Sequence, residues 1–248
     1  MAVWLAVPSK RPPAEAERAL SLWRRQGYLI AVWRDRMTEE LPDGSKRIVS
    51  EDPPVMCDME LRGHYRGYAA AVNKLAHFIL RTDEEVSFIV TAGDDTEPDL
   101  NHSASEIARQ CIEHFKGTFG VMQPTGDGHG IETIAGSPWM GKEWCKRANM
   151  GNGPLWHQYT HNFVDNELQE VATKLGVFWQ RPDLTHKHNN WMFTGAPKPA
   201  FLEEAYSKEH WQKYRKLFVD RRNAGFPGHE PLPPSKVAKL NAGAQLGR

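Results

Sequence analysis

Along the first half of the chain, short apolar runs alternate with stretches whose apolar residues recur at helical spacing, the pattern of a sheet with helices packed on it. Val3 to Val7 reads as a first strand. A helix is expected from Pro13 to about Gln26, with Ala16, Ala19, Leu20 and Trp23 on one face and proline at its start. Tyr28 to Trp33 makes a second strand, and the polar stretch from Arg34 to Met56, with its Asp43-Gly44 turn signal, is a hairpin excursion or a loop. Helical spacing returns at Tyr68, Val72, Leu75 and Ile79. It leads into Val86-Ser87-Phe88-Ile89-Val90, so nearly continuously apolar that burial on both faces is expected.

Further on, the pattern predicts a helix ending near Phe115, a strand from Thr118 to Met122 and a glycine-rich polar loop from Gln123 to Gly130. Trp139 to Asn149, Val164 to Leu175 and Pro199 to Arg222 read as helices, and Val177 to Arg181 as a strand. Pro227, Pro231, Pro233 and Pro234 leave the end little means of forming a core, so a tail or extended arm is expected. The expected organisation is therefore an α/β domain over residues 1–197, a basic aromatic helix over 198–225 packed on it, and a proline-rich tail over 226–248.

Bulk properties narrow the classes only modestly. With 40% hydrophobic and 25% charged residues the chain has an ordinary globular composition, and no run approaches the roughly 18 apolar residues of a spanning helix. The N-terminus lacks the basic start and cleavage site of a signal peptide. Lys plus Arg and Asp plus Glu both total 31, so the net field does not argue for a polyanionic partner. Cys57, Cys111 and Cys145 have neither disulfide-framework nor zinc-site spacing, and a reducing cytoplasm is the expected setting.

Candidate chemistry starts at Gly93-Asp94-Asp95, directly after the buried strand, because open α/β sheets bind ligands at the carboxyl ends of their strands. Adjacent carboxylates there suit a hard divalent cation that also bridges phosphate oxygens; the same letters suit a helix-capping turn. Upstream, Gly67 to Ala76 is a row of small residues with one amide, Asn73. Downstream, Val164-Asp165-Asn166-Glu167-Leu168 starts a helix with carboxylates near its positive end. His186-Lys187-His188 follows a strand, and two histidines two apart on an extended chain would point the same way, toward a shared metal site or a wet loop.

In that order the motifs resemble the GT-A glycosyltransferases, across roughly residues 2–191. The resemblance implies a GT-A (nucleotide-diphospho-sugar transferase) fold: α/β, a central mostly parallel sheet flanked by helices, here with a helical and extended C-terminal extension. It implies that Pro8, Ser9, Lys10, Arg11, Gly67, Asn73, Asp94 and Gly136 bind the donor, and that Asp95, Asp94 and either His188 or His186 hold Mn²⁺ or Mg²⁺. Asp165 would be the general base, with Glu167 the alternative. The first carboxylate of a full Asp-x-Asp is absent at Gly93, which leaves Asp94 open between metal and ribose and makes Asp95 the better ligand.

The segments Gly120 to Asp127, Ala135 to Gly141 and Gly153 to Tyr159 resemble the acceptor half of family-2-like enzymes of the bacteriophage type, with Trp139, Trp156 and Tyr159 as acceptor-stacking candidates or core residues. Lys208, Lys213, Arg215, Lys216, Arg221 and Arg222, interleaved with Trp211, Tyr214 and Phe218, suit a DNA surface or a solvated helix with a buried stripe. The expected reaction is inverting transfer of a hexose from a nucleotide sugar such as UDP-glucose, with 5-hydroxymethylcytosine or another hydroxymethylated pyrimidine in phage DNA as the favoured acceptor. A glycan or small-molecule acceptor, nucleotidyl transfer, and a non-catalytic nucleic-acid-binding protein are the alternatives.

Overall fold

A computed structural model describes residues 1–42, 45–126 and 135–237, apart from the side chains of Phe193 and Phe201. The Asp43-Gly44 turn, Asp127 to Gly130 of the glycine-rich loop, and the last residues of the tail lie outside the described residues.

The first apolar run forms strand β1 (Ala2–Pro8), and its side chains divide between two cores. Trp4 and Ala6 join a cluster on one face of the sheet, while Val3, Leu5 and Val7 join a second on the other. β2 (Leu29–Glu40) and β5 (Val86–Val90) flank β1 in parallel. With β4 (Met59–Gly63), β7 (Val121–Pro124), β8 (Trp139–Gly141) and β9 (Phe178–Arg181), the strand order across the sheet is β4-β2-β1-β5-β8-β7-β9. Only β8 in that series runs antiparallel to its neighbours. The outer half of β2 turns back into β3 (Lys46–Glu51), so the polar excursion is a hairpin.

Helices α1 (Pro13–Arg25) and α3 (Ala104–Phe115) cover one face. Trp23 anchors α1 by donating its indole N–H to the Thr96 carbonyl at 2.8 Å, and α3 starts in a Ser103/Glu106 capping box. The other face carries α2 (Tyr68–Thr82), α4 (Lys142–Gly151), α5 (Val164–Lys174) and α7 (Lys208–Asn223). A mixed sheet, mostly parallel in its central strands and covered by helices on both faces, is the architecture expected from the pattern.

Three local expectations need correction. Trp139 and Met140 belong to β8 rather than to a helix, because both sheet faces are covered at that position and only a strand buries successive side chains on opposite sides. After a single turn, α6 (Trp191–Thr194), the helix expected from Pro199 is a short 3-10 turn, Ala200–Leu202, followed by α7, whose first turn is capped by Ser207. The start of the proline-rich end is docked on the domain: Phe226, His229 and Val237 are buried, and Leu232 N–H donates to the Arg147 carbonyl at 2.8 Å.

A topological switch lies between β1 and β5, since the chain winds outward from β1 through β2 to β4 and then returns to β1's other side. The crevice outside the carboxyl ends of such a strand pair is where open α/β sheets bind ligands. No helix among the described residues is long and apolar enough to cross a membrane.

Candidate active site

A cleft of about 890 Å³ opens at this switch point. Pro8, Ser9, Lys10 and Arg11 leave β1 into it, Gly93, Asp94 and Asp95 leave β5 into it, and Gly67, Gly136, Asp165 and His188 complete its walls. The loop after β1, the acidic pair, the candidate base and one of the two histidines therefore meet, although they are spread over 180 residues of chain.

Arg11 lies across the acidic pair. Its Nε donates to Asp94 Oδ1 at 2.8 Å and its Nη2 to Asp95 Oδ2 at 3.2 Å, while Ser9 Oγ donates to the second Asp94 oxygen at 2.7 Å. Burial pushes the Asp94 carboxyl above its ordinary value despite Arg11. For Asp95 burial acts the same way, but His188 and Arg11 outweigh it and hold the carboxyl below its ordinary value. Gly93 has a steric reason for being there: a Cβ would sit 2.4 Å from Asp95 Oδ1, so a side chain at this position would turn the Asp95 carboxylate out of its place.

His188 reaches Asp95 through a two-stranded ladder between β6 (Thr96–Glu97) and β10 (Lys187–His188). Its Nε2 lies 3.1 Å from Asp95 Oδ1, and Asn189 N–H ties the next residue to the Asp95 carbonyl at 2.9 Å. His186 does not share this site. It is 1% exposed, its Nδ1 faces Ser137 Oγ at 2.9 Å, and its ring packs edge-on against Trp23. Burial pushes its imidazole down to about 3, so it stays neutral in the core. The ladder begins only at Lys187, so the alternation that would have aligned the two rings is broken.

Across the cleft, α5 starts at Val164 after Phe163, which has a φ of 69°, a strained conformation for a bulky residue of the kind that concentrates at functional sites. Asp165 enters the cleft from this first turn. Burial pushes its carboxyl above the ordinary value, and among the described residues no cation pairs with it. Glu167 points the other way. Arg221 donates to it through Nε at 2.8 Å and Nη2 at 2.6 Å, and the Tyr159 hydroxyl donates at 2.8 Å. At 2% exposure and outside the cleft, Glu167 fastens α7 to α5.

Several other expected contacts turn inward as well. Asn73 donates to the Leu155 carbonyl at 2.8 Å and accepts from the Leu155 N–H at 3.0 Å, clamping a loop instead of facing a donor. Trp139 and Tyr159 are fully buried, and Trp156 packs under the Arg221 guanidinium at 3.5 Å; none of the three lines the cleft. On α7, Arg221 is spent on Glu167, Arg222 on Glu170 and Lys216 on Asp220, so the helix is not a continuous basic face.

The aromatic lining comes instead from Trp33, Tyr65, Tyr68, Tyr206 and Trp211, with His161 and His210 beside them. The Tyr68 hydroxyl meets Thr91 Oγ1 at 2.7 Å at the end of β5, and burial raises both tyrosines at 65 and 68 so that their hydroxyls stay protonated. Burial also pushes His161 down to about 4. The polar run Thr160-His161-Asn162 ahead of a helix was the one sequence signal for this wall. Gly67 serves the wall backbone to backbone: its φ is 108°, and a Cβ would sit 2.5 Å from Thr160 Cα.

Among the described residues no group of three or more His, Cys, Asp or Glu side chains is arranged to hold a metal ion. Asp95 and His188 supply two convergent donors, an oxygen and an imidazole nitrogen, and Asp94 stands beside them behind Arg11. A site that takes only one or two protein ligands and completes its shell with substrate phosphates and water is characteristic of Mg²⁺ and acceptable to Mn²⁺, so the donor set fits such an ion.

No protein-family model matches the chain. No curated protein matches it. Among solved structures, a mutant Drosophila beta-1,4-galactosyltransferase 7 in complex with manganese, UDP-Gal and xylobiose is similar at a TM-score of 0.45 and 12% identity, covering 85% of this chain and 82% of that one. At that level the similarity says nothing of this chain's chemistry, which rests on the cleft itself.

Proposed function

We propose that this protein is a GT-A-type glycosyltransferase that moves a hexose from a nucleotide sugar, UDP-glucose being the first candidate, to an acceptor hydroxyl. The observation that carries this reading is the placement of Asp94 and Asp95 on one wall of the switch-point cleft and of the desolvated, cation-free Asp165 on the other. Such a cleft has a charged end for a diphosphate and a base for a proton.

A divalent cation held by Asp95 and His188, with Asp94 beside them, would supply neutralisation of the departing diphosphate. The chain's own groups do the rest. Arg11 and Lys10 lie where phosphate oxygens would gather, and Tyr65, Tyr68 and Trp211 offer ring faces and hydroxyls to sugar or base. Asp165 takes the proton from the acceptor hydroxyl as its oxygen bonds to the anomeric carbon. The bond from that carbon to the diphosphate oxygen breaks, and the nucleoside diphosphate leaves. A single displacement of this kind inverts the anomeric centre.

For the acceptor we propose a hydroxymethylated pyrimidine of DNA, flipped out of its stack. Supporting it are Trp211, 45% exposed, and Lys213, both on the cleft wall, with Arg215 over the Trp211 ring. The test is incubation with a panel of nucleotide sugars, Mn²⁺ or Mg²⁺, and DNA carrying 5-hydroxymethylcytosine or 5-hydroxymethyluracil, followed by nucleoside masses, with oligosaccharide acceptors assayed in parallel. A hexose-sized mass gain is expected. Unmodified DNA alongside glycosylated oligosaccharide would move the acceptor to glycans, and no consumption of any nucleotide sugar would remove the transferase reading.

A further inference from the structure

The Arg11 carbonyl accepts from the buried Arg34 guanidinium at 3.1 Å, but the Arg11 guanidinium itself meets α1 only through a loose 3.8 Å pairing with the half-exposed Glu15 and otherwise turns to the cleft. This side chain leaves the loop after β1 and forms hydrogen bonds to one oxygen of each carboxylate in the acidic pair, at 2.8 Å and 3.2 Å. Ser9 holds the other Asp94 oxygen, and His188 faces the other Asp95 oxygen at 3.1 Å. All four carboxylate oxygens are thus engaged by side chains of this chain. The guanidinium supplies the positive charge that two adjacent half-buried carboxylates need, and a cation cannot bind between them while it stays.

We propose that the Arg11 guanidinium and a divalent cation are alternative occupants of the Asp94-Asp95 pair, so that the cation enters together with a diphosphate that receives the released Arg11. This rests on the transferase reading for the identity of the diphosphate, while the exchange itself rests only on the contacts above. Guanidinium binds phosphate oxygens in the same two-pronged geometry as carboxylate, so the released side chain keeps its hydrogen bonds. Protein donors alone offer the cation Asp95, His188 and an Asp94 still tied to Ser9. Phosphate oxygens complete the shell, which couples the two ligands.

The residue acts by gating occupancy and is a positioning residue. Its signature is a binding order. In the parent protein, Mn²⁺ binds weakly alone and strongly when a nucleoside diphosphate is present. In Arg11→Gln, which removes the competing charge and retains a polar side chain, Mn²⁺ alone binds roughly tenfold or more tightly, equivalent to about 1.4 kcal/mol. The gain that the diphosphate confers on Mn²⁺ shrinks in the same variant. Arg11→Lys keeps the charge but cannot bridge both carboxylates, and falls between the two.

The experiment is calorimetric titration of Mn²⁺ into the parent, Arg11→Gln and Arg11→Lys proteins, each with and without UDP, with free Mn²⁺ followed in parallel by its electron-spin resonance signal. Melting curves confirm that each variant is folded, and Lys serves if Gln is not. Tighter Mn²⁺ binding by Arg11→Gln in the absence of UDP is the expected result. Unchanged or weaker Mn²⁺ binding by both variants overturns the exchange, even if UDP and Mn²⁺ still bind the parent synergistically and so leave the transferase reading intact. Exchange seen with Mn²⁺ but no UDP binding by any protein would uphold competition at the carboxylates and refute the diphosphate half of the proposal together with the transferase reading.

Discussion

Replacing Glu167 by Gln tests the division of labour between two carboxylates that stand two residues apart. The substitution is nearly isosteric, removes one charge, and leaves the Arg221 guanidinium buried at 8% exposure with no carboxylate to answer it. Breaking a buried ion pair from one side costs about 3–5 kcal/mol, because the remaining charge keeps its desolvation penalty without its partner. The Tyr159 hydroxyl, which donates to Glu167 at 2.8 Å, retains an amide oxygen to donate to, so most of the loss comes from the charge. At about 2–4 °C per kcal/mol for a chain of this size, the melting temperature should fall by roughly 6–20 °C. Below the new melting point turnover should persist, since the side chain lies outside the cleft. The assay pairs calorimetry with glycosyl transfer, and adds the double replacement Glu167→Leu with Arg221→Met, which removes both charges and should recover much of the loss. A Glu167→Gln protein that melts with the parent yet fails to turn over would refute the reasoning and return Glu167 to the chemistry.

Other expected outcomes follow from the same geometry. Asp165→Asn should lower transfer by roughly 10²–10⁴-fold while leaving UDP binding, measured by calorimetry, near the parent value. If Asp165 is the base proposed above, the deprotonated form it needs is lost as pH falls through a value raised by burial above the ordinary aspartate one, and the acid limb of the parent's rate profile should sit there. Gly93→Asp restores the letters of a full Asp-x-Asp, yet its Cβ would meet Asp95 Oδ1; synergistic Mn²⁺ and UDP binding should weaken while the melting temperature hardly moves. His161 is held neutral by burial, with a folded value of about 4 against an ordinary 6.5, so the unfolded chain binds its proton first as pH drops. Stability carried by His161 is therefore lost between about pH 6.5 and 4, and His161→Gln should flatten that part of the melting-temperature profile.

The order of strands and helices was largely legible because periodicity is a local property. β1 and β5 announced themselves as apolar runs, β5 as one buried on two faces, and α1, α2 and α5 by their helical spacing. β8 was not legible, since Trp139 and Met140 carry no period of their own and become a strand only between covered sheet faces. Asp165 and Glu167 could have been separated from the letters alone: two residues on a helix are about 200° apart, so one faces the cleft only if the other does not. Which of them did so depended on where Arg221 arrived, 54 residues later.

What the sequence by itself determined was the α/β alternation and the presence of carboxylates at a strand end and at a helix start. Tertiary structure alone decided which side chains face the cleft. His186 and His188 differ by two positions, yet one fills the space between Trp23 and Ser137 and the other meets Asp95 through a ladder formed with a strand 90 residues earlier. Trp139 and Tyr159, expected at the acceptor, went to the core, where large apolar area is worth most, Trp156 packed against its edge, and the cleft took its aromatics from β2, α2, α7 and the segments just ahead of those two helices. Arg11 looked like one cation in a loop. Its place across Asp94 and Asp95 exists only because β1 and β5 are neighbours in the sheet, and neighbourhood across the sheet is a product of global packing that no local pattern encodes.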